Sequence, residues 1–292
     1  MSSLRSTLIG FSAILMWSLL ALLTVATGSV PPFQLAAMSF AVGGTLGLLW
    51  VARMGAWRAL RQKPGVWLFG VAGLFGYHAL YFSALRLAPP AEAGLICYIW
   101  PLLIVLFSGL LPGEHLRWHS VAGAVLGLIG TVILFMGKGV VPNLHAGWGY
   151  VVAFAAALVW SSYSVLSRRL GSVPTATVAG FCLATAVLAA VCHMVFETTV
   201  WPQDTQQWLA VLALGIGPVG ASFYTWDVGV KRGDIRLLGV SSYAAPVLST
   251  ILLVLVGYAQ ARATLWLAAL LIAGGGVLAA KDMMRKRPSA SG

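Results

Sequence analysis

Ten apolar stretches of close to 20 residues, separated by short charged or proline-rich breaks, leave this chain few ways to fold. About 20 apolar residues in a helix cross the hydrocarbon core of a bilayer. No water is available there, so a spanning segment must satisfy its own backbone polar groups, which a helix does. The stretches lie at about 7–27, 33–52, 66–86, 91–111, 119–137, 148–167, 175–196, 208–229, 237–258 and 264–280. The expected fold is therefore an all-α integral membrane protein with ten transmembrane helices. Composition agrees: only 9% of residues are charged, where a soluble domain carries about 25%. Arg5 followed by an apolar run has the look of a signal peptide. The run continues to Thr27 and further spans follow, so an uncleaved first helix is expected.

The net charge of +11 does not point to nucleic acid, because the cations flank apolar spans and form no aromatic-interleaved soluble module. Their placement instead sets orientation. With a cytoplasmic N-terminus, that side carries Arg5, Arg53, Arg58, Arg61, Lys63, Arg117, Arg168, Arg169, Lys231, Arg232, Arg236, Lys281, Arg285, Lys286 and Arg287. The opposite side carries Arg86, Lys138 and Arg262, a split of 15 to 3. Both termini are expected to be cytoplasmic. Cys97, Cys182 and Cys192 lie inside apolar spans and suggest no disulfide framework. No metal-ligand cluster or cofactor motif stands out. Gly215-Ile-Gly217-Pro-Val-Gly220 matches GxGxxG, with Asp234 further on, but it lies inside a span and contains Pro218. It lacks the strand–turn–helix setting that a dinucleotide site needs, and is read as loosening its helix for gating.

Five spans per half make the second half enter from the opposite side, so two inverted five-helix repeats are expected, at 1–143 and 144–292, around a central cavity. Trp17-Ser18 answers Trp160-Ser161. Tyr98-Ile-Trp100-Pro101 answers Tyr243-Ala-Ala-Pro246, and Arg86 answers Lys231, each 145 residues on. Gly127-Leu-Ile-Gly130 corresponds loosely to Ala273-Gly-Gly-Gly276. The small-residue pair Gly123 and Gly127 suits close helix packing, within the fold or between protomers. Nothing in the sequence requires more than a monomer.

Rings and prolines gather at mid-span. Tyr77 and Tyr81 share a helix face. With Trp17, His78, Tyr98, Trp100, Trp160, Tyr163, Tyr224, Ser242 and Tyr243 they form the candidate substrate-binding set. Ring packing without a solute is the alternative, since Tyr and Trp also form interfacial belts. Pro101, Pro218 and Pro246 are candidate kinks or gates, because proline removes a backbone donor. Pro101 and Pro246 would free the carbonyls of Cys97 and Ser242 for a substrate ammonium, or serve as packing kinks. His78 is either a central proton carrier or a neutral, hydrogen-bonded histidine; His193 is read as structural. Asp227 and Lys231 form an expected i,i+4 ion pair, and Glu92 an expected cap, with Arg86 nearby. No carboxylate, Lys or Arg sits mid-span, which disfavours cationic drugs and phosphorylated sugars and favours a neutral or zwitterionic solute.

The segment LAPPAEAGLICYIWPLLIVLFSGLLPGEHL at 87–116 resembles the drug/metabolite transporter superfamily with its paired EamA-type repeats. Tyr98-Ile-Trp100-Pro101 and the tyrosine-rich third span are similar to the YddG-type aromatic amino acid exporters. That resemblance implies a bacterial-type inner membrane and a cavity lined by spans 1, 3, 4, 6, 8 and 9. It also implies export of amino acids, aromatic ones especially, by alternating access. Two other readings are a broad multidrug and metabolite exporter of the same fold, and a membrane enzyme acting on lipid. The seven acidic residues are scattered without catalytic spacing, which argues against the enzyme.

Overall fold

The computed structural model describes residues 2–113, 115–137 and 146–281. Glu114, Lys138, the link between the halves and the basic tail with Arg285, Lys286 and Arg287 lie outside the described residues. Every element described is helical. The first half runs α1 (Ser3–Ser18), α2 (Leu20–Ala26), α3 (Pro32–Arg53), α4 (Pro64–Leu87), α5 (Pro90–Cys97), α6 (Trp100–Ser108) and α7 (Trp118–Met136). The second runs α8 (Gly147–Ser167), α9 (Val178–Phe196), α10 (Thr205–Ile216), α11 (Ser222–Arg232), α12 (Ile235–Ser241), α13 (Ala244–Leu255) and α14 (Ala263–Ala279). A π-helical turn, Gly217–Ala221, joins α10 to α11. Nine apolar helical segments of 19 to 28 residues are long enough to span a bilayer, and α14, at 17 residues, is the shorter tenth. Each overlaps the stretch expected from the sequence.

Span 4 breaks into α5 and α6 at Tyr98-Ile99, and span 9 breaks into α12 and α13 at Ser242-Tyr243. Both breaks lie just ahead of a proline, where the missing N–H and the ring clash interrupt the helix. The helix pairing follows the repeat. Span 2 packs on span 7 (α3 with α9), and span 5 on span 10 (α7 with α14). Spans 3 and 6 pair through α4 and α8, and their inverted counterparts, spans 8 and 1, pair through α11 and α1. That is the pattern a two-fold in the membrane plane requires.

Small residues set the closest approaches. A Cβ on Gly43 of α3 would lie 2.6 Å from the Gly220 Cα in the π turn. Gly123 of α7 faces the Gly275 carbonyl of α14, with only 2.5 Å for a Cβ, and Gly127 lies under the Tyr243 ring. The pair Gly123 and Gly127 therefore serves packing inside the fold. Gly123→Ala should destabilise the protein by about 1–3 kcal/mol through overpacking, read as a lower unfolding temperature in detergent.

Each end of the bundle is tied by a buried acid. Glu197, just after α9, accepts from the Phe33 and Gln34 amides at 3.0 and 3.1 Å, and so caps the N-terminus of α3. It also pairs with Arg86 at 2.9 Å and His193 at 3.0 Å. Glu92 lies in the first turn of α5, as expected, and accepts from the Tyr150 hydroxyl, while Arg86 bonds Glu197. At the other end Asp227 and Lys231 of α11 form the expected pair at 2.8 Å. Thr175 Oγ1 donates to Asp227 at 2.7 Å, and Lys231 Nζ to the Val173 carbonyl at 2.9 Å.

Candidate functional site

Four tryptophans meet at the middle of the bundle. Trp17 of α1 lies 5.8 Å, centroid to centroid, from Trp160 of α8, its counterpart in the repeat. Trp100 of α6 stands edge-on to both, at 6.1 and 6.4 Å. Trp226 of α11 closes the group 5.0 Å from Trp17 and is 1% exposed, its indole N–H donating to Ser164 Oγ at 3.1 Å. Beyond Trp226 the bundle is shut. The Gly10 and Gly229 backbones touch, and the Asp234 amide donates to Thr7 Oγ1 at 2.8 Å.

Above this floor is a cavity of about 120 Å³. Trp17 and Leu20 line it from span 1, and Tyr77, His78 and Tyr81 from α4. Gly94, Cys97, Tyr98 and Trp100 come from the broken span 4, and Trp160 from α8. Pro218, Val219 and Phe223 come from the π turn and α11, and Ala245 from α13. In α1, α4 and α11 these residues lie on the side of the floor that leads to Arg86 and Glu197. Among the described residues, no Asp, Glu, Lys or Arg lines it. The Cys97 thiol donates weakly to the Tyr77 hydroxyl at 3.7 Å. His78 Nδ1 is 2.7 Å from the Leu74 carbonyl, which can only accept, so Nδ1 carries the proton in the neutral ring and Nε2 holds the lone pair. Its ring stands edge-on to Phe40 and Phe223.

Of the candidate set, Trp17, Tyr77, His78, Tyr81, Tyr98, Trp100 and Trp160 come together at this cavity, as does Pro218. Four others lie elsewhere, for steric reasons. Tyr163 stacks behind Trp160 and against Phe69, over Gly73. Tyr224 points across α3, its hydroxyl donating to the Gly43 carbonyl at 3.2 Å. Ser242 Oγ bonds the Leu238 carbonyl, and the Ser242 carbonyl accepts from the Ala245 amide at 3.1 Å, so it is not free. Tyr243 is fully buried on Gly127, and its hydroxyl accepts from the Leu102 amide at 3.2 Å. That amide is left without its usual partner by the break at Tyr98-Ile99, so the second half caps the first. Pro101 and Pro246 are buried in their helices and line no part of the cavity. Tyr243→Phe should cost about 1–3 kcal/mol, the penalty for an unsatisfied buried amide, measured as thermal stability in detergent.

Phe223, Leu20, Val219 and Ala245 complete the wall without having been singled out, and Trp226 floors it. The 145-residue offset of the repeat could have found several: it carries His78 onto Phe223, Tyr81 onto Trp226 and Trp100 onto Ala245. The last pair shows where the space comes from. One half presents an indole at this position and the other a methyl group, and the cavity lies against the methyl.

Comparison with known proteins matches this arrangement. The profile described as the EamA-like transporter family fits the chain twice, over residues 4–136 and 147–280. The chain belongs to that family. Family membership makes it a membrane transporter, with one family match in each half. An aromatic amino acid exporter, YddG, of Ancylobacter novellus is 59% identical over 284 residues, covering 96% of this chain and 98% of that protein. The exporter of the same name in Escherichia coli K12 is 27% identical, covering 95% and 97%. A crystal structure at 57% identity superposes with a TM-score of 0.94, covering 97% of this chain and 99% of that one. The glycine motif at 215–220 runs from the end of α10 into the π turn, within a helical span and not in a nucleotide loop.

Proposed function

We propose that this EamA-family protein exports aromatic and other neutral or zwitterionic amino acids across a bacterial-type inner membrane, with both termini cytoplasmic. The observation that carries this reading is a cavity walled by tryptophan and tyrosine rings, lacking formal charge and shut at the basic end of the bundle. An aromatic side chain gains about 0.5–1.5 kcal/mol per well-placed ring contact beyond its buried area. An ammonium over a ring face gains a comparable amount when desolvated. His78 Nε2 offers that ammonium an acceptor. The cavity, at about 120 Å³, is smaller than drug-sized sites of roughly 300–1,000 Å³, which favours an amino acid over a bulky drug.

In this reading the structure faces outward. The halves, 1–143 and 144–292, rock about the midplane, and the inverted repeat supplies the other state: Tyr81 then takes the closing position that Trp226 holds here. Reconstituted vesicles loaded with tryptophan should show counterflow of labelled tryptophan that phenylalanine and tyrosine inhibit and cationic dyes do not. Equal inhibition by dyes would replace this reading with the multidrug one. With no mid-span carboxylate, facilitated transport is the expected mode, and an imposed pH gradient should leave the counterflow rate within about twofold. A steep pH response would make His78 the coupling group.

A further inference from the structure

Several cations at the basic end of the bundle are already engaged. Arg168 donates to the Val230 and Gly233 carbonyls at 3.2 and 2.8 Å, Lys231 pairs with Asp227, and Arg236 donates to the His115 carbonyl at 2.8 Å. The loop between α3 and α4 is different. Arg53, Arg58, Arg61 and Lys63 fall within 11 residues and are exposed. None of their side chains has a carboxylate or carbonyl partner among the described residues.

The backbone that carries them is held in place. Trp57–Leu60 is a 3-10 turn whose Ala59 is buried against Val51, Ala176 and Ala179. The Ala59 carbonyl accepts from Thr177 Oγ1 at 2.8 Å and Gln62 Nε2 at 3.0 Å. Arg58 and Arg61 therefore line a concavity whose far wall is Pro174 and Ala176. Beside them Trp57 is 50% exposed and Met54 68%.

We infer that this concavity binds the phosphate headgroup of an anionic phospholipid. Two guanidinium forks match phosphate oxygens in a way that dispersed ammonium groups do not. Trp57 and Met54 give the acyl chains an apolar surface at the membrane boundary, where Trp is at home; a soluble phosphate would leave that surface unused. Lys63 runs directly into Pro64, the first residue of α4. A lipid held here therefore fixes the base of the helix that carries Tyr77, His78 and Tyr81. Placement on the cytoplasmic face rests on the orientation proposed above, but binding in detergent does not depend on it.

The test uses the full-length protein in neutral detergent, titrated with phosphatidylglycerol and with phosphatidylcholine and read by native mass spectrometry. A surface cation contributes about fivefold to anionic-lipid affinity. Arg58→Gln with Arg61→Gln should therefore weaken phosphatidylglycerol binding by about 30-fold. Arg5→Gln with Arg232→Gln, which removes the same charge elsewhere on that end, should change it by less than about threefold. Equal loss in both double variants would overturn the site in favour of diffuse attraction. Unchanged binding in the first double variant would overturn it outright. Displacement of the lipid by millimolar inorganic phosphate would reassign the site to a soluble anion, and tighter binding of a short RNA would reassign it to nucleic acid.

Discussion

Ala245→Trp should abolish transport while leaving the protein folded. Ala245 is 3% exposed, lines the cavity and occupies the position that corresponds to Trp100 in the other half. An indole there restores the symmetry that the cavity breaks, and it fills a space of about 120 Å³ with a group of similar bulk. The cost to stability is bounded by overpacking, about 1–3 kcal/mol, because open volume is available to receive the ring. The cost to function is not bounded in that way, since the substrate rings and the new indole compete for the same room. Tryptophan counterflow should fall at least about 100-fold, with unfolding temperature reduced by a few degrees at most, and Ala245→Ser should keep near-normal rates. Transport within twofold of the parent in well-folded Ala245→Trp protein would show that solute passes elsewhere.

Asp227→Asn should be the most destabilising single change of charge in the molecule. Asp227 and Lys231 are 4% and 6% exposed, so their pair is dry. Removing the carboxylate charge leaves the Lys231 ammonium buried with the Val173 carbonyl as its remaining close partner. Breaking a buried pair from one side costs about 3–5 kcal/mol, while replacing both partners with apolar residues is often neutral. The single variant should accumulate poorly and melt well below the parent. Asp227→Leu with Lys231→Met should recover most of the loss. If the double variant is no better than the single one, the pair is not the source of the effect.

Much of the architecture was readable because one physical demand, spanning a bilayer with satisfied backbone, imprints itself on run length. The charge pattern and the breaks at Pro101 and Pro246 followed from equally local rules. The tryptophan pair was readable too, since Trp17 and Trp160 are equivalent in the repeat and a two-fold axis brings equivalent residues together. What stayed hidden was facing. Tyr98 and Tyr243 sit in matching breaks, each three residues before a proline, yet one lines the cavity and the other is buried on Gly127 and caps Leu102. A ring near a helix break has no signature of its own that says which way it turns. Glu197 was hidden for another reason: it follows a span and reads as loop, and its partners at Phe33, Gln34 and Arg86 lie more than a hundred residues away. Glu92 was legible as the acid in the first turn of α5, but its partner Tyr150, 58 residues on, was not.

The π turn at Gly217–Ala221 takes one extra residue into span 8 between α10 and α11. A helix advances about 100° and 1.5 Å per residue, and a π turn holds one residue more than an α turn. Val219, Phe223 and Trp226, spaced i, i+4 and i+7, have the spacing of one helix face, and Pro218 and Val219 lie within the turn itself. Deleting a single residue from the turn would leave an ordinary α turn, with Phe223 and Trp226 still on one face of α11. What the extra residue supplies is a seat: the turn brings Gly220 hard against Gly43 of α3, so evening out the span would be felt first in how closely α3 can approach, and only then in the rings.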